Sequence, residues 1–324
     1  MNGFLHLICF VCYHILLTQH TYATADADIL LGTAHIAVLM TNYVEHTYAG
    51  SQNASGDEQL HLDIDCDNAV FAAIRQSGVF AVAASEETPV ETDVSPPNSS
   101  SVGNVFSVGF DPLDGSSIID ANFSVGSIFG IWPGRGVLNR TGREQAAAAV
   151  SLYGPRTTLC IALPAKTTDR GKPVVLEVTL VKDRTCWELS RDAVTIQPAG
   201  KVFAPGNLRA ANDNARYDAL IDHWMKERYT LRYSGGMVPD VYHIFAKSKG
   251  VFSNVSSDKA RAKLRLLYEV APLGLVVECA GGVTTHEAHD GSVLDCKIDD
   301  LDRRLGVCFG SSEEVAIYKK FMFE

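Results

Sequence analysis

Hydrophobic positions in the first part of the chain recur at helical spacing. Between residues 29 and 47 the apolar side chains fall mostly three or four positions apart, which predicts an amphipathic helix. The polar, glycine-containing stretch 48–59 that follows predicts a loop. A second helix is expected to begin near Asp63, where acidic residues precede an apolar face, and to end at Gly78.

Short apolar runs bounded by turn residues replace the helical pattern from residue 79 onward. Such runs predict buried strands. The predicted strands have the sequences VFAVAAS, VFSVGF, SIFGIW, TLCIAL and PVVLEVTLV. The alanine-rich segment 143–154 predicts a helix among them, because alanine has the highest intrinsic helix propensity. The first half of the chain is therefore expected to mix helices and strands.

Glycine and proline cluster over residues 196–207, and this change in composition predicts a domain boundary near residue 200. The pattern as a whole favours the α/β class. It predicts two α/β domains, over residues 26–199 and 200–324, after an apolar leader over residues 1–25.

Two helices are predicted in the second domain. The apolar positions from Tyr217 to Met225 recur at helical spacing and predict an amphipathic helix. The segment 263–282 predicts another helix, bent at Pro272 because proline cannot donate the helical hydrogen bond. Its expected end is the pair of glycines that begins at Gly281.

The leader is apolar over residues 4–17, which is shorter than the ~20 residues that a membrane-spanning helix needs. No stable membrane span is therefore expected. An Ala-x-Ala pattern that ends at Ala25 resembles a signal-peptidase site, but the first residues carry no positive charge. Two interpretations stay open, a signal peptide cleaved near Ala25 and an unusual extension.

The charge distribution excludes one class of function. The net charge of the 324 residues is -10, and no lysine or arginine occurs before Arg75, so nonspecific binding to nucleic acid is not expected. With 46% apolar residues the chain can bury a large core. The eight cysteines show no metal-type pairing beyond one Cys-x-x-Cys in the leader, and we interpret them as buried free thiols.

Acidic residues follow two of the predicted strands. Glu86 and Glu87 come directly after the first strand, and Asp111 and Asp114 follow the second. Like-charged side chains held together require a cation or protonation, and oxygen ligands without histidine or cysteine favour Mg²⁺ or Mn²⁺. The carbonyl of Leu113 can add a further oxygen ligand. An isolated Asp-x-x-Asp pair is more often a solvated turn, but here two strands deliver acids.

A phosphate-binding turn is predicted directly after these acids. Gly115 allows close approach of the backbone, so the amides of Gly115, Ser116 and Ser117 can bind phosphate oxygens. A pair of cations that clamps the attacking and leaving oxygens suits hydrolysis of a phosphate monoester. The residues themselves therefore point to a metal-dependent phosphatase.

The segment FDPLDGSS, at 110–117, resembles the signature of the fructose-1,6-bisphosphatase and sedoheptulose-1,7-bisphosphatase family. Further segments in the family's order support the resemblance: GDEQLHLD, SEE, NLRA, LRYSGGMVPDV and KLRLLYE. The resemblance implies the layered α/β sugar-phosphatase fold, with a metal-binding domain followed by a sugar-binding domain. It also implies a sugar bisphosphate substrate and two or three Mg²⁺ ions in each active site, with Mn²⁺ as the alternative.

The resemblance assigns roles to individual acids. The residues implied to bind the metals are Glu86, Glu87, Asp111, Asp114, Glu269 and, through its carbonyl, Leu113. Glu87 and Asp63 match the acids credited with activating the attacking water, and Asp57 matches an acid on a mobile loop. The neighbouring Asp65 and Asp67 are interpreted as acids at the start of a helix.

The resemblance also assigns the sugar side of the site. The residues implied to hold the distal phosphate are Asn207, Arg232, Tyr233, Lys263 and Tyr268. Gly236 and Met237 match the sugar-binding stretch, and Arg265 is assigned to the sugar region. Arg232 is expected to come from a neighbouring subunit, which implies a homodimer or a homotetramer.

Departures from the fructose-1,6-bisphosphatase pattern concern the substrate. This chain has NLRA and GGM where that branch has NEGY and GSM, which resembles the sedoheptulose-1,7-bisphosphatase branch. A six-carbon or dual specificity stays open as the alternative, and a non-catalytic sugar-phosphate-binding protein is a remote one. An inositol-phosphate phosphatase is disfavoured, because its Trp-Asp signature is not visible. The resemblance implies a cytoplasmic or plastid location.

Overall fold

A computed structural model describes residues 33, 36–40, 48–52, 58–96, 106–168, 171–181 and 186–324. The predicted leader and Asp57 lie outside these residues, as does most of the first predicted helix, of which 36–40 are helical. The helices are α1 (His61–Ser77), α2 (Ala215–Lys226), α3 (Met237–Lys247), α4 (Ala271–Cys279) and α5 (Ser312–Phe323).

The strands form a two-stranded ribbon and two larger sheets. The ribbon pairs β1 (Tyr48–Gln52) with β2 (Glu58–Leu60). The strands of the first large sheet are β3 (Phe80–Ser85), β4 (Thr92–Asp93), β5 (Phe106–Asp114), β6 (Val125–Pro133), β7 (Ala147–Tyr153), β8 (Thr157–Leu163), β9 (Val174–Val181) and β10 (Cys186–Arg191). Those of the second are β11 (Val202–Gly206), β12 (Thr230–Leu231), β13 (Val251–Asn254), β14 (Val283–His286) and β15 (Val307–Gly310).

The first sheet has the strand order β10-β9-β8-β7-β6-β5-β3-β4. Its β3 and β5 are parallel neighbours, and the other neighbouring strands are antiparallel. The second sheet has the order β12-β11-β13-β15-β14, and β11 is parallel to both of its neighbours. The α/β class predicted from the sequence is therefore confirmed.

The sheets and helices alternate in five layers. One face of the first sheet packs on α1, where Phe71 of the helix contacts Phe110 of β5 at 5.3 Å between ring centroids. The opposite face packs on α3 and α4, which also cover the inner face of the second sheet through Phe252 and Phe309. The helices α2 and α5 cover the outer face of the second sheet, with Trp224 fully buried there. The core around α3 and α4 contacts both sheets. The domain boundary near residue 200 therefore stays a prediction.

The helix α1 begins and ends for local reasons that the sequence reveals. The Asp63 carboxylate accepts a hydrogen bond from the Leu60 amide at 2.9 Å, which satisfies one of the unpaired donors at the amino terminus. Gly78 then adopts a left-handed conformation with φ of 67° and ends the helix, as predicted. The polar stretch 48–59 was predicted to be a loop, but β1 and β2 pair antiparallel at its two ends.

The prediction of a helix over the alanine-rich segment 143–154 is wrong. Residues 147–153 form the strand β7, which pairs with β6 on one side and β8 on the other. Ala148 faces the core shared with α4, and Ala147 and Ala149 face the core below α1. Small side chains allow both helical layers to approach the sheet, so tertiary packing overrides the helix propensity of alanine.

The segment 263–282 differs from the prediction of one bent helix. Arg265 is extended and forms an isolated β-bridge with Arg304. Residues Leu266–Val270 form a π-helical turn, and only then does α4 begin. Because Pro272 has no amide hydrogen to donate, the regular pattern cannot run through it, and the preceding turn widens to the hydrogen bond from Val270 N to Arg265 O.

Six cysteines lie in the described part of the chain, and all six are free thiols. Four of them, Cys66, Cys160, Cys296 and Cys308, are buried, in agreement with the interpretation from the sequence. Among the helices that the structure describes, none has the length and apolar character required to cross a membrane.

Candidate active site

The acids predicted after two strands meet at one edge of the first sheet. β3 and β5 are parallel, so Glu86 and Glu87 leave β3 at the edge where Asp111 and Asp114 end β5. The Glu86 amide donates to the Phe110 carbonyl at 3.1 Å, which fixes the first residue after β3 beside β5. Both strands therefore deliver acids to the same edge of the sheet.

A small hydrogen-bonded turn holds Glu86 and Glu87. The Ser85 amide donates to the Thr88 carbonyl at 3.1 Å, and the Thr88 amide donates to Ser85 Oγ at 2.9 Å. Thr88 Oγ1 also donates to Asp67 Oδ2 at 3.0 Å. Asp67 was interpreted as a helix-start acid only, but it also attaches this acidic turn to α1.

Three buried carboxylates form the centre of the site. One oxygen from each of Asp111, Asp114 and Glu269 lies within 4.8 Å of the other two, and all three side chains are buried. Burial raises the pKa of each carboxyl group, and repulsion from Glu86 adds to this. The pKa of Asp114 is raised to about 7. We name Asp111, Asp114 and Glu269 the acidic cluster.

Backbone amides hold the acidic cluster in place. Asp111 accepts from the Leu113 amide at 2.9 Å, and Asp114 accepts from the Val238 amide at 2.6 Å, at the start of α3. The Glu269 carboxylate accepts from the Arg265 amide at 2.5 Å, and this bond depends on the π-helical turn. A helix amino terminus and fixed amides stabilise the ionised forms but provide no counter-charge large enough for three carboxylates.

The donor set of the acidic cluster fits a hard divalent cation. Its ligands are all oxygen atoms, and the three side chains converge although they repel one another. Oxygen-only sets of this kind favour Mg²⁺, Mn²⁺ or Ca²⁺ over zinc. The three side chains could therefore hold a metal ion.

Glu86 is bound to an arginine beside the acidic cluster. Arg265, which is only 5% exposed, forms an ion pair with Glu86 and another with Asp302 at 3.1 Å. The guanidinium of Arg265 therefore lies among the acids, and its assignment to the sugar region stays a prediction. The signal in the sequence was a charged residue between two leucines of the KLRLLYE motif.

The predicted phosphate-binding turn has the expected backbone. Gly115 has φ of 91°, a left-handed conformation that favours glycine, and a short 3₁₀ turn over Ser116–Ile118 follows it. A Cβ atom on Gly115 would lie 3.5 Å from the Cα of Gly236, so the turn packs closely against the start of α3. Phosphate binding by Gly115, Ser116 and Ser117 stays a prediction.

The acids assigned to proton transfer lie near this edge of the sheet. Asp63 is 3% exposed, and burial raises its pKa to about 7, with a smaller contribution from Glu86. Glu87 is partly exposed on the acidic turn. A carboxylate with a pKa near neutrality can accept a proton at physiological pH. Asp57 lies outside the described residues.

A basic cavity of about 570 Å³ includes Lys263, one of the residues predicted to hold the distal phosphate, in its lining. Its cationic lining residues are Arg209, Lys259, Arg261, Lys263 and Arg304. Asn207 has a left-handed backbone, and its amide nitrogen donates to the carbonyls of Val255 and Ala260, at 2.7 and 2.9 Å. Ala260 lines the cavity, so Asn207 supports its wall.

Two other residues assigned to the distal phosphate are exposed. Tyr233 is 48% exposed, and its hydroxyl accepts a hydrogen bond from the backbone amide of Asn207. Arg232 is also exposed, and its guanidinium donates to the Leu231 carbonyl at 2.8 Å. Only one chain is present, so the expected position of Arg232 at a subunit interface stays a prediction.

Two predicted substrate residues point into the core. Tyr268 is fully buried, and its hydroxyl has no hydrogen-bond partner among the described residues. Lys263 and Tyr233, by contrast, are exposed. The Met237 side chain is also buried, and its amide donates to Asp114 at 3.3 Å. Gly236 packs against Ile118 of the 3₁₀ turn that follows Gly115.

Comparisons with known proteins agree with this geometry. The fructose-1-6-bisphosphatase N-terminal domain matches residues 31–170, and the C-terminal domain of the same family matches residues 196–323. A chloroplastic sedoheptulose-1,7-bisphosphatase from Spinacia oleracea is 48% identical over 84% of this chain and 66% of that protein. A class 1 fructose-1,6-bisphosphatase from Geobacter sulfurreducens is 35% identical, over 85% of this chain and 82% of that protein.

The solved structures give the same result. The crystal structure of a putative sedoheptulose-1,7 bisphosphatase from Toxoplasma gondii superposes with a TM-score of 0.81 and 36% identity, covering 95% of this chain and 97% of that one. The chain spans just under two thirds of the length of the chloroplastic relatives that it matches. Both family domains and these relatives cover most of the chain, which therefore belongs to the fructose-1-6-bisphosphatase family.

Proposed function

We propose that this chain hydrolyses the 1-phosphate of sedoheptulose 1,7-bisphosphate to give sedoheptulose 7-phosphate and inorganic phosphate. The observation that carries the proposal is the path from the basic cavity to the acidic cluster. Lys263 lines the cavity, and Arg265, roughly 7 Å further along an extended backbone, contacts Glu86 and Glu269. The basic cavity and the acidic cluster are thus the two poles of one site. A substrate with two phosphates suits such a site.

Asp302 connects the two poles a second time. Its carboxylate pairs with Arg265 Nε at 3.1 Å and with Arg304 Nε at 3.4 Å. Arg265 belongs to the acidic side, and Arg304 lines the basic cavity. A partly exposed ion-pair network therefore links the acidic cluster to the basic cavity, which supports a preference for substrates of one length.

The acidic pole supports a role for Mg²⁺, with Mn²⁺ as the alternative. The residues proposed to hold two or three cations are Asp111, Asp114, Glu269, Glu86, Glu87 and, through its carbonyl, Leu113. Bound there, the cations supply charge stabilisation for the oxygens of the reacting phosphate and lower the pKa of water.

The chain's own groups position the reacting phosphate and move the proton. The amides of Gly115, Ser116 and Ser117 orient the phosphate oxygens at the edge of the acidic cluster. Asp63 and Glu87 accept the proton of the attacking water, and the pKa of about 7 at Asp63 suits this role. The basic cavity binds the distal phosphate, and that binding energy holds the reactive end in place.

The proposal includes a homodimer or a homotetramer. Arg232 and Tyr233 are exposed at the start of the segment that leads into α3. Arg232 is next to Tyr233, which contacts Asn207. Its exposed guanidinium is therefore suited to bind the distal phosphate held by a neighbouring subunit.

Initial rates of phosphate release on two sugars test the proposed substrate. We expect a higher kcat/KM for sedoheptulose 1,7-bisphosphate than for fructose 1,6-bisphosphate, measured with the full chain at one fixed Mg²⁺ concentration. Fructose 1-phosphate is the control, since it lacks the distal phosphate and should react with a kcat/KM at least ~10-fold lower. A higher kcat/KM for the six-carbon bisphosphate would establish the alternative specificity. Absence of phosphate release from either sugar would favour a non-catalytic sugar-phosphate-binding protein.

Replacement of Lys263 by alanine is expected to raise KM for the bisphosphate by about 10-fold to 100-fold. The lysine lines the basic cavity, and a charge-assisted hydrogen bond to a phosphate contributes about 1.5–3 kcal/mol. The rate on fructose 1-phosphate should stay unchanged, because that substrate has no distal phosphate. Lys320→Ala, on the exposed face of α5, is the matched control and should leave both substrates unaffected. An equal loss on both substrates would contradict the assignment of Lys263.

A further inference from the structure

Two histidines and a cysteine converge on residues that the acidic cluster does not include. His286 is the last residue of β14, His289 lies in the turn that follows, and Cys296 comes after the short turn Val293–Asp295. One ligand atom from each of the three side chains lies within 4.8 Å of the other two. In the sequence only the His-x-x-His spacing is visible, and Cys296 follows seven residues after His289. The cluster was therefore missed at that level.

The turn that carries both histidines is held in a defined conformation. The His286 amide donates to the Gly291 carbonyl at 3.0 Å, and the Ala288 amide donates to His286 Nδ1 at 2.9 Å. Lys319 of α5 forms an ion pair with Asp290 at 2.6 Å. Because Nδ1 of His286 accepts this hydrogen bond, the neutral ring carries its proton on Nε2 and its lone pair on Nδ1, so a cation that binds His286 takes the place of the Ala288 amide at Nδ1.

The three side chains differ in exposure in a way that suits a cation site. Cys296 is 8% exposed and belongs to the core between the two sheets, whereas His289 is exposed and His286 is intermediate. The cluster therefore extends from the core to the surface, with an entry path for an ion from solvent.

We infer that His286, His289 and Cys296 bind one Zn²⁺ ion at a site distinct from the acidic cluster. Two imidazoles and one thiol are soft to borderline ligands, which zinc prefers and Mg²⁺ does not. On binding, the Cys296 thiol loses its proton to solvent and coordinates as thiolate. Three protein ligands leave the fourth tetrahedral position to water.

Coordination requires two adjustments: the exposed Ala288 amide exchanges its hydrogen bond to His286 Nδ1 for one to water, and His289 rotates. The two imidazole rings are stacked, with centroids 4.4 Å apart and an interplanar angle of 6°. In this arrangement the lone pairs of the two rings do not converge on one metal position. His289 is exposed and can tilt out of the stack at the cost of a single side-chain rotation. His286 and Cys296, which are more buried, provide the fixed part of the site.

The bound ion has a structural consequence for the sugar side. Glu287 lies between the two histidines, and its carboxylate accepts from the Ser256 hydroxyl at 2.8 Å and from the Gly306 amide at 3.0 Å. Ser256 precedes the cavity-lining residues 259–263. Fixing the turn therefore braces the segment that forms the basic cavity.

Titration with Co²⁺ tests the inference without any measurement of activity. The full chain is stripped of metal, kept reduced with a non-chelating phosphine, and titrated with CoCl₂ while the near-ultraviolet and visible spectra are recorded. We expect a thiolate-to-cobalt charge-transfer band that saturates at about one equivalent, because carboxylate sites give no such band. One equivalent of ZnCl₂ should remove the band, and excess MgCl₂ should leave it, since Mg²⁺ does not bind soft ligands.

Variants assign the band to the three residues. Cys296→Ser should abolish the charge-transfer band, and His289→Ala should weaken Co²⁺ binding by about 100-fold or more. His289→Ala affects an exposed residue and therefore tests the site even if Cys296→Ser fails to fold. Cys279→Ser, at a partly buried cysteine of the same core, is the matched control and should leave the band intact. A band that persists in Cys296→Ser, or no band in the unaltered protein, would overturn the site while leaving the proposed phosphatase unaffected.

Discussion

Replacement of Asp111 by asparagine is expected to lower kcat/KM for the bisphosphate by about a thousandfold. Asparagine has nearly the same shape, and its oxygen can still accept the hydrogen bond that the Leu113 amide donates at 2.9 Å. The substitution therefore removes the charge from the acidic cluster and little else. Loss of a metal-binding carboxylate weakens the stabilisation of the transferred phosphate by several kcal/mol, and about 4 kcal/mol corresponds to a thousandfold.

The measurement is the initial rate of phosphate release over a range of Mg²⁺ concentrations. The variant should require more Mg²⁺ for half-maximal activity, because one of the converging oxygens has lost its charge. Asp120→Asn is the matched control, since Asp120 is an exposed acid on the turn that follows β5. Unchanged activity in Asp111→Asn with the fold intact would remove the acidic cluster from the mechanism and with it the proposed function.

Local sequence signals were sufficient for the acidic edge of the site. Asp111 and Asp114 end one apolar run and Glu86 follows another, so the only missing information was whether the strands lie side by side. Parallel pairing of β3 and β5 supplies it, since parallel strands end at the same edge of a sheet. The end of α1 at Gly78 was equally predictable from the sequence, because a helix that ends in a left-handed residue favours glycine.

Contacts between distant parts of the chain could not be predicted from the sequence. Arg265 meets Glu86, which is 179 residues away, and Thr88 meets Asp67 across a helix and a strand. The same limit applies to the alanines of β7, whose strand state depends on β6, β8 and two helical layers. Helix propensity is worth less than ~1 kcal/mol per residue, so contacts of this kind outweigh it.

The family motifs indicated which segments lie near the site, but they did not indicate in which direction each side chain points. KLRLLYE places Lys263 on the cavity and Glu269 in the acidic cluster, although the side chains of Tyr268 and Leu267 turn into the core. A π-helical turn between extended and α-helical backbone changes the direction of successive side chains, and Pro272 indicates an interruption there without specifying a π-helical geometry. The buried hydroxyl of Tyr268 therefore could not be distinguished from a surface hydroxyl by its position in the motif.

In metal-free protein, the free energy of unfolding is expected to fall as the pH rises from 5 to 8. Burial raises the pKa of Asp111, Asp114 and Glu269 above the values of the unfolded chain, and that of Asp114 reaches about 7. Between the unfolded and folded pKa values the folded state binds more protons, so stability is greatest below the unfolded pKa and is lost as the pH rises through the folded one. Each extra proton contributes about 1.4 kcal/mol per pH unit.

Mg²⁺ should reverse this loss. A cation among the three carboxylates stabilises their ionised forms, so the increase in Tm on adding 10 mM MgCl₂ should be several degrees larger at pH 8 than at pH 5. Calorimetry of the full chain in a chelator-treated buffer, with and without MgCl₂, measures both effects.

The charge-neutral variant Asp111→Asn supplies the internal check on this mechanism. It should lose activity and yet, without metal at pH 8, unfold at a higher temperature than the unaltered protein, because one of three repelling charges is gone. Its Tm should also depend less on pH and on Mg²⁺. Asp120→Asn should follow the unaltered protein at every pH, since that carboxylate is exposed. Equal Mg²⁺ effects at pH 5 and pH 8 would contradict the view that repulsion among buried acids is what the cation relieves.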